Sequence, residues 1–100
     1  MEIRFLEQDT RLIVALIGDL DNVSAIEAEK KLQPVFEQDD HDVVLECSHL
    51  NYISSRGLRL LIMIYKHLRD SGHRGYVTKM NETVKEVLIT GGFLKLYQEE

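Results

Sequence analysis

A chain of 100 residues, 44% hydrophobic and 29% charged, has the composition of one ordinary globular domain rather than of a disordered or fibrous segment. Seventeen acidic against twelve basic residues leave a formal charge of -5, which excludes the broad cationic footprint of a nucleic-acid binder. The single cysteine, Cys47, permits no internal disulfide and fits a cytosolic, reducing setting.

The opening residues Met1 to Phe5 alternate apolar with charged instead of forming a basic leader followed by an apolar core, so they do not read as a signal peptide. Ile3 and Phe5 form one strand, and Glu7-Gln8-Asp9-Thr10 turns into the more central strand Leu12 to Ile17, giving a hairpin. Gly18 closes that strand, and Asp19-Leu20-Asp21-Asn22 is a polar connection. Ser24, with Glu27 three residues on, is a capping box that opens a helix with Ala25, Ala28, Leu32, Val35 and Phe36 on one face. Pro34 lies inside that pattern and costs roughly 3 kcal/mol in a regular helix interior, so the last turn bends or the helix stops early.

Gln38 to His41 is a solvated loop, and Asp42 to Cys47 is a short buried strand. The stretch Leu50-Asn51-Tyr52-Ile53-Ser54-Ser55-Arg56-Gly57-Leu58 then breaks from apolar residues into two hydroxyls and a glycine before a long helix ending at Ser71-Gly72. Leu58, Leu61, Ile62, Tyr65 and Leu68 share one face of it, while Leu60, Met63 and Ile64 fall outside that stripe and suit deep burial or a partner. The apolar run Leu60 to Tyr65 is far shorter than the ~20 residues that span a bilayer, so no direct membrane insertion is expected. Arg74 to Thr78 is the next strand, and Asn81 caps a third helix bearing Val84, Val87 and Leu88 that Gly91-Gly92 closes. Phe93 to Tyr97 packs back as a short strand or turn of helix, and Gln98-Glu99-Glu100 is a frayed end. The order of elements predicts a single α/β domain over residues 1–100, a small mixed sheet of four to five strands with helices packed against it.

Catalytic groupings are missing. His41, His49, His67 and His73 are scattered without a metal-binding spacing, and Cys47 reads as a buried structural thiol. Ser54-Ser55-Arg56-Gly57 lacks the Gly-x-Ser-x-Gly elbow of hydrolases, and the glycines form no phosphate-cradling loop, so neither an enzyme nor a cofactor is expected. A serine before an apolar-periodic run is ordinarily a helix cap. It is also the position where a phosphate is best tolerated, because unpaired amides and the helix dipole favour negative charge there.

Leu50-Asn51-Tyr52-Ile53, then Ser-Ser-x-Gly-Leu and a long apolar helix, together with Gly18-Asp19-Leu20-Asp21 and the late Thr90-Gly91-Gly92-Phe93-Leu94, resemble the STAS domain of bacterial anti-sigma-factor antagonists over nearly the whole chain. That resemblance implies a non-enzymatic partner-switching regulator of transcription. Unmodified, such a domain docks on an anti-sigma factor that is also a serine kinase; phosphorylated at one serine it is released, and a serine phosphatase restores it. Matching Tyr52-Ile53 and Gly57-Leu58 to the family pattern implies Ser55 as the phosphorylated residue, with Ser54 at the usual aspartate position and Arg56 where a small hydroxyl is usual. Asp19, Asp21, Ser54, Arg56, Gly57 and Arg59 are implied as the partner-binding surface. The alternative is a constitutive STAS adaptor of a membrane transporter complex, in which Ser55 is only a cap and Leu60, Met63 and Ile64 pack the partner.

Overall fold

The computed structural model describes all residues 1–100 and has the chain order β1 (Glu2–Gln8), β2 (Arg11–Leu20), α1 (Ser24–Lys31), α2 (Gln33–Phe36), β3 (Asp42–Ile53), α3 (Ser55–Asp70), β4 (Gly75–Thr78), α4 (Glu82–Thr90), a 3-10 turn (Phe93–Lys95) and β5 (Gln98–Glu99). The sheet order is β1-β2-β3-β4-β5, antiparallel between the first two strands and parallel thereafter. This is the expected α/β arrangement. The hairpin needs only a tight turn, with Asp9 at φ 57°, whereas each parallel step needs a helical crossover.

Val14 and Leu16 of β2, Val43, Leu45 and Cys47 of β3 and Val77 of β4 meet residues from every helix in one core. Val44 is buried but lies outside that cluster, on the other face of the sheet with the half-buried Ile13, Ala15, Ile17 and Tyr76. The helices therefore form a single layer, and all three crossovers return over the same face.

Several boundaries differ from those read off the sequence. Gly18 does not end β2: its φ of +107° accommodates a register shift against β3, after which Leu20 still pairs with Ile53. β3 continues through the exposed Ser48 and His49 to Ile53, because Leu50 and Ile53 anchor it in the core. Pro34 acts as predicted: α1 stops at Lys31, and the proline occupies the first turn of α2, where its missing N–H is no loss. In α3 the buried positions are Gly57, Leu60, Leu61, Ile64 and Leu68, so Leu60 and Ile64 are core and Leu58, Ile62 and Tyr65 only flank it.

The C-terminal segment is not frayed. Gln98 and Glu99 pair with Tyr76 and Val77 as β5, and the Glu100 amide donates to the Val77 carbonyl at 2.9 Å. Tyr97 is fully buried, stacked on Phe93 with ring centroids 4.4 Å apart, and its hydroxyl donates to the Leu61 carbonyl at 2.7 Å. A Cβ on Gly75 would lie 2.6 Å from the Tyr97 ring, so that glycine exists to admit the aromatic.

Each of the four histidines contacts a polar neighbour. His41 reaches Glu7 and Asp40, His67 the Gln38 carbonyl, His73 Asp42, and His49 the Ser48 hydroxyl. Burial, followed by the charge of Glu46, pushes the Cys47 thiol up to about 12, which keeps it a protonated core residue.

Candidate functional site

β2 and β3 end side by side, and the helices that follow them start side by side. The Ser54 amide donates to the Leu20 carbonyl at 2.9 Å, which joins the two strand ends directly. Two serine-containing turns thus lie together at one end of the molecule.

In the first turn the sequence reading misplaces the cap. Val23 has helical dihedrals, and the reciprocal pair is Asp21 with Ser24 instead of Ser24 with Glu27. The Ser24 amide donates to Asp21 Oδ1 at 2.8 Å, and the Asp21 amide donates to Ser24 Oγ at 3.0 Å. Ser24 Oγ donates onward to the Asp19 carbonyl at 2.8 Å, and the Ala25 amide donates to the Asp21 carbonyl at 2.9 Å, so helical bonding begins at Asp21. The Ser24 amide, and then its hydroxyl, hold the Asp21 carboxyl below its ordinary value. Asp21 is therefore an exposed, fixed anion at the start of α1.

In the second turn the two serines divide. Ser54 has extended dihedrals and is the N-cap of α3; its Oγ accepts the Gly57 amide at 3.1 Å, and only 7% of the residue is exposed. Ser55 is the exposed first residue of the helix, and its hydroxyl has no hydrogen-bond partner in the protein. With the Gly57 and Leu58 amides taken by Ser54, the Ser55 and Arg56 amides are the free donors of the first turn.

Gly57 is buried as well: a Cβ there would meet Leu20 Cγ at 2.7 Å and Ile53 Cγ1 at 3.0 Å. Ser54 and Gly57, assigned by resemblance to the contact surface, lie beneath it and serve as cap and close-approach point. Asp19, Asp21, Ser55, Arg56 and Arg59 are all exposed, and neither arginine has an ion-pair partner.

Other exposed residues join them. Val23 (80%) and Ile26 (51%) on the α1 side, Tyr52 (46%) opposite Asp19 in the β2–β3 register, and Met63 (41%) on α3 are large apolar groups left in solvent around this end. Sequence reasoning did not single out Val23 or Ile26. The available signal was their position off the Ala25, Ala28, Leu32 stripe.

Ser55 also borders a cleft of 460 Å³ whose other wall includes Thr83, Glu86, Thr90 and Gly91, so the late Thr-Gly-Gly element faces the same serine from α4. The exposed face around Ser55 is built from apolar and charged side chains.

The family model of the STAS domain matches residues 2–99. The chain belongs to the STAS domain family. Among relatives of this STAS domain, the Bordetella bronchiseptica protein BtrV, named an anti-sigma factor antagonist, is 32% identical over 89% of this chain and 77% of its own length. The anti-sigma-B factor antagonist of Staphylococcus epidermidis is 27% identical over 91% of this chain and 85% of its own. The solved structure of the anti-sigma factor antagonist SpoIIAA in its unphosphorylated form superposes with a TM-score of 0.81 at 16% identity, covering 99% of this chain and 88% of that one, a likeness of fold. No helix is long and apolar enough to cross a membrane.

Proposed function

We propose that this STAS domain is a cytoplasmic anti-sigma-factor antagonist that works by partner switching, without catalysis of its own. Unmodified, the face around Asp21 and Ser55 docks on an anti-sigma factor that is also a serine kinase. Phosphorylation of Ser55 ends that complex, and a serine phosphatase regenerates the binding form.

The observation that carries this reading is the division of labour between adjacent hydroxyls. Ser54 is 7% exposed and occupied as the cap of α3, whereas Ser55 is exposed, unpartnered and flanked by free amides. A phosphate at Ser55 adds roughly -1.5 to -2 charges at a helix start, where unpaired N–H groups accept it without unwinding the helix. What changes is the surface. A docked apolar and charged interface must then desolvate or oppose that charge, and like-charge juxtaposition at an interface costs several kcal/mol. Relatives named as anti-sigma factor antagonists support the antagonist part of this reading. The adaptor reading rested on surplus apolar residues of α3, and two of its three, Leu60 and Ile64, belong to the core.

Incubation with the cognate kinase and ATP tests the proposal. Wild type takes one phosphate on Ser55 and Ser55→Ala takes none; full labelling of the alanine variant at another residue overturns it. Ser55→Asp weakens kinase binding by about 1 kcal/mol or more, read by calorimetry.

A further inference from the structure

Beside Ser55, on the side away from α4, α1 and α3 run next to each other and enclose a groove of 390 Å³. Its floor is the buried pair Ala25 and Leu60, and its walls carry the half-exposed Ile26 and Met63. Around the rim stand Lys30, Arg56 and Arg59, with Glu29 as the one carboxylate. None of the three cations is in an ion pair, and they outnumber the one rim carboxylate although the chain has a net charge of -5. An acidic protein has therefore kept three cations unneutralised around one apolar groove.

We infer that the α1–α3 groove receives an acidic, amphipathic segment of the partner, with one apolar side chain seated between Ile26 and Met63 and carboxylates reaching Lys30 on one wall and Arg59 on the other. This deepens the reading of the Ser55 face as a docking surface and rests on it. The charge pattern selects the occupant: unpaired rim cations speed encounter with an anionic partner and set its register, while the apolar floor supplies the area that is removed from water. Groove-bound helices present anchors at i, i+3 or i+4, so the segment places its acidic residues within one turn of its apolar anchor. Arg56 directly follows Ser55, and Arg59 stands at the i+4 position on the same helix surface. Groove and serine thus form one continuous contact face.

The test places the photo-crosslinking residue p-benzoylphenylalanine at position 63, and separately at the exposed Leu6, in the full chain expressed in its source cells. Residue 63 is expected to form an adduct with the kinase that labels Ser55, through a peptide carrying carboxylates within one helical turn of an apolar residue, and residue 6 is expected to form none with it. Lys30→Glu with Arg59→Glu, both exposed positions, lowers affinity for that kinase about tenfold or more, and the glutamine pair lowers it less. The inference is overturned by an adduct to a second copy of the chain, by an adduct to a segment lacking carboxylates, by no adduct, or by unchanged affinity of the charge-reversed variant. The two readings fail separately. If wild type is labelled on Ser55 while charge reversal leaves affinity unchanged, the groove inference alone is wrong. If the captured protein binds through its acidic segment but places no phosphate on Ser55, the groove stands and the switch is wrong.

Discussion

Gly57→Ala offers the sharpest test of how the site is held. The glycine is helical, so an added methyl brings no backbone strain, and at this first-turn position alanine is favoured over glycine by at most about 1 kcal/mol. Against that gain, the new Cβ would stand 2.7 Å from Leu20 Cγ and 3.0 Å from both Ile53 Cγ1 and Leu20 Cδ2. Leu20 Cγ is a branch point rather than the end of a flexible chain, and both neighbours are fully packed in the core. Overpacking of this kind costs about 1–3 kcal/mol, so packing wins and the variant is less stable by up to about 2 kcal/mol. For a domain of this size each kcal/mol lowers Tm by about 4–8 °C. Thermal and urea unfolding measure the change, and the double variant with Leu20→Ala identifies its source. Leu20→Ala alone costs about 2–5 kcal/mol, and in the Gly57→Ala background it costs less, by a coupling of about 0.5–3 kcal/mol. A Gly57→Ala variant more stable than wild type, or strictly additive with Leu20→Ala, would refute the close approach.

Ser54→Ala removes a cap and costs about 1 kcal/mol, whereas Ser55→Ala stays within about 0.5 kcal/mol; melting curves showing the reverse order would mean the two roles are exchanged. Asp42 faces His73 at 2.9 Å and accepts the Arg74 amide at 3.0 Å. Burial works against its ionisation, but those bonds outweigh it and hold the carboxyl below its ordinary value. Because the folded value lies below the unfolded one, this contribution is complete above about pH 4 and disappears as the pH falls through the folded value. The stability difference between wild type and Asp42→Asn, followed by urea midpoints from neutral to acid pH, therefore shrinks below about pH 4; a constant difference excludes the linkage.

Local patterns carried the hairpin, the three main helices and the sheet class, because alternation and helical spacing act over a few residues. The Pro34 break was legible for the same reason. What escaped depended on tertiary partners. Gly18 looked like a terminator because nothing local shows that β3 keeps pairing beyond it, and Ser48-His49 looked like a strand end because both side chains face solvent. Six consecutive apolar residues from Leu60 give no contrast between faces, and tertiary contacts such as the approach of Gly57 to Leu20 and Ile53 decide which one turns inward. Within the site, Ser54 and Ser55 stood out as a pair, but which of them is hidden follows from a hydrogen bond to Leu20 that spans two strands. Resemblance carried Asp21 and Ser55 to exposed positions at one end of the sheet. It carried no sign of the unpaired groove cations, since the charge pairing of Lys30, Arg56 and Arg59 is settled only by the fold.

The seating of Tyr97 also bears on which strand is the border of the sheet. β5 covers β4 through only two residue pairs, and it is kept there by the tyrosine ring filling the space above Gly75, with its hydroxyl on Leu61, together with the Arg11–Glu100 and Lys85–Glu99 ion pairs. Detachment of this one aromatic would leave a void at Gly75 and expose the backbone donors and acceptors of Tyr76 to Thr78, a ready template for pairing with another chain. The ring is therefore a guard against self-association, and a Tyr97 lesion would declare itself through aggregates before it did so through lost binding.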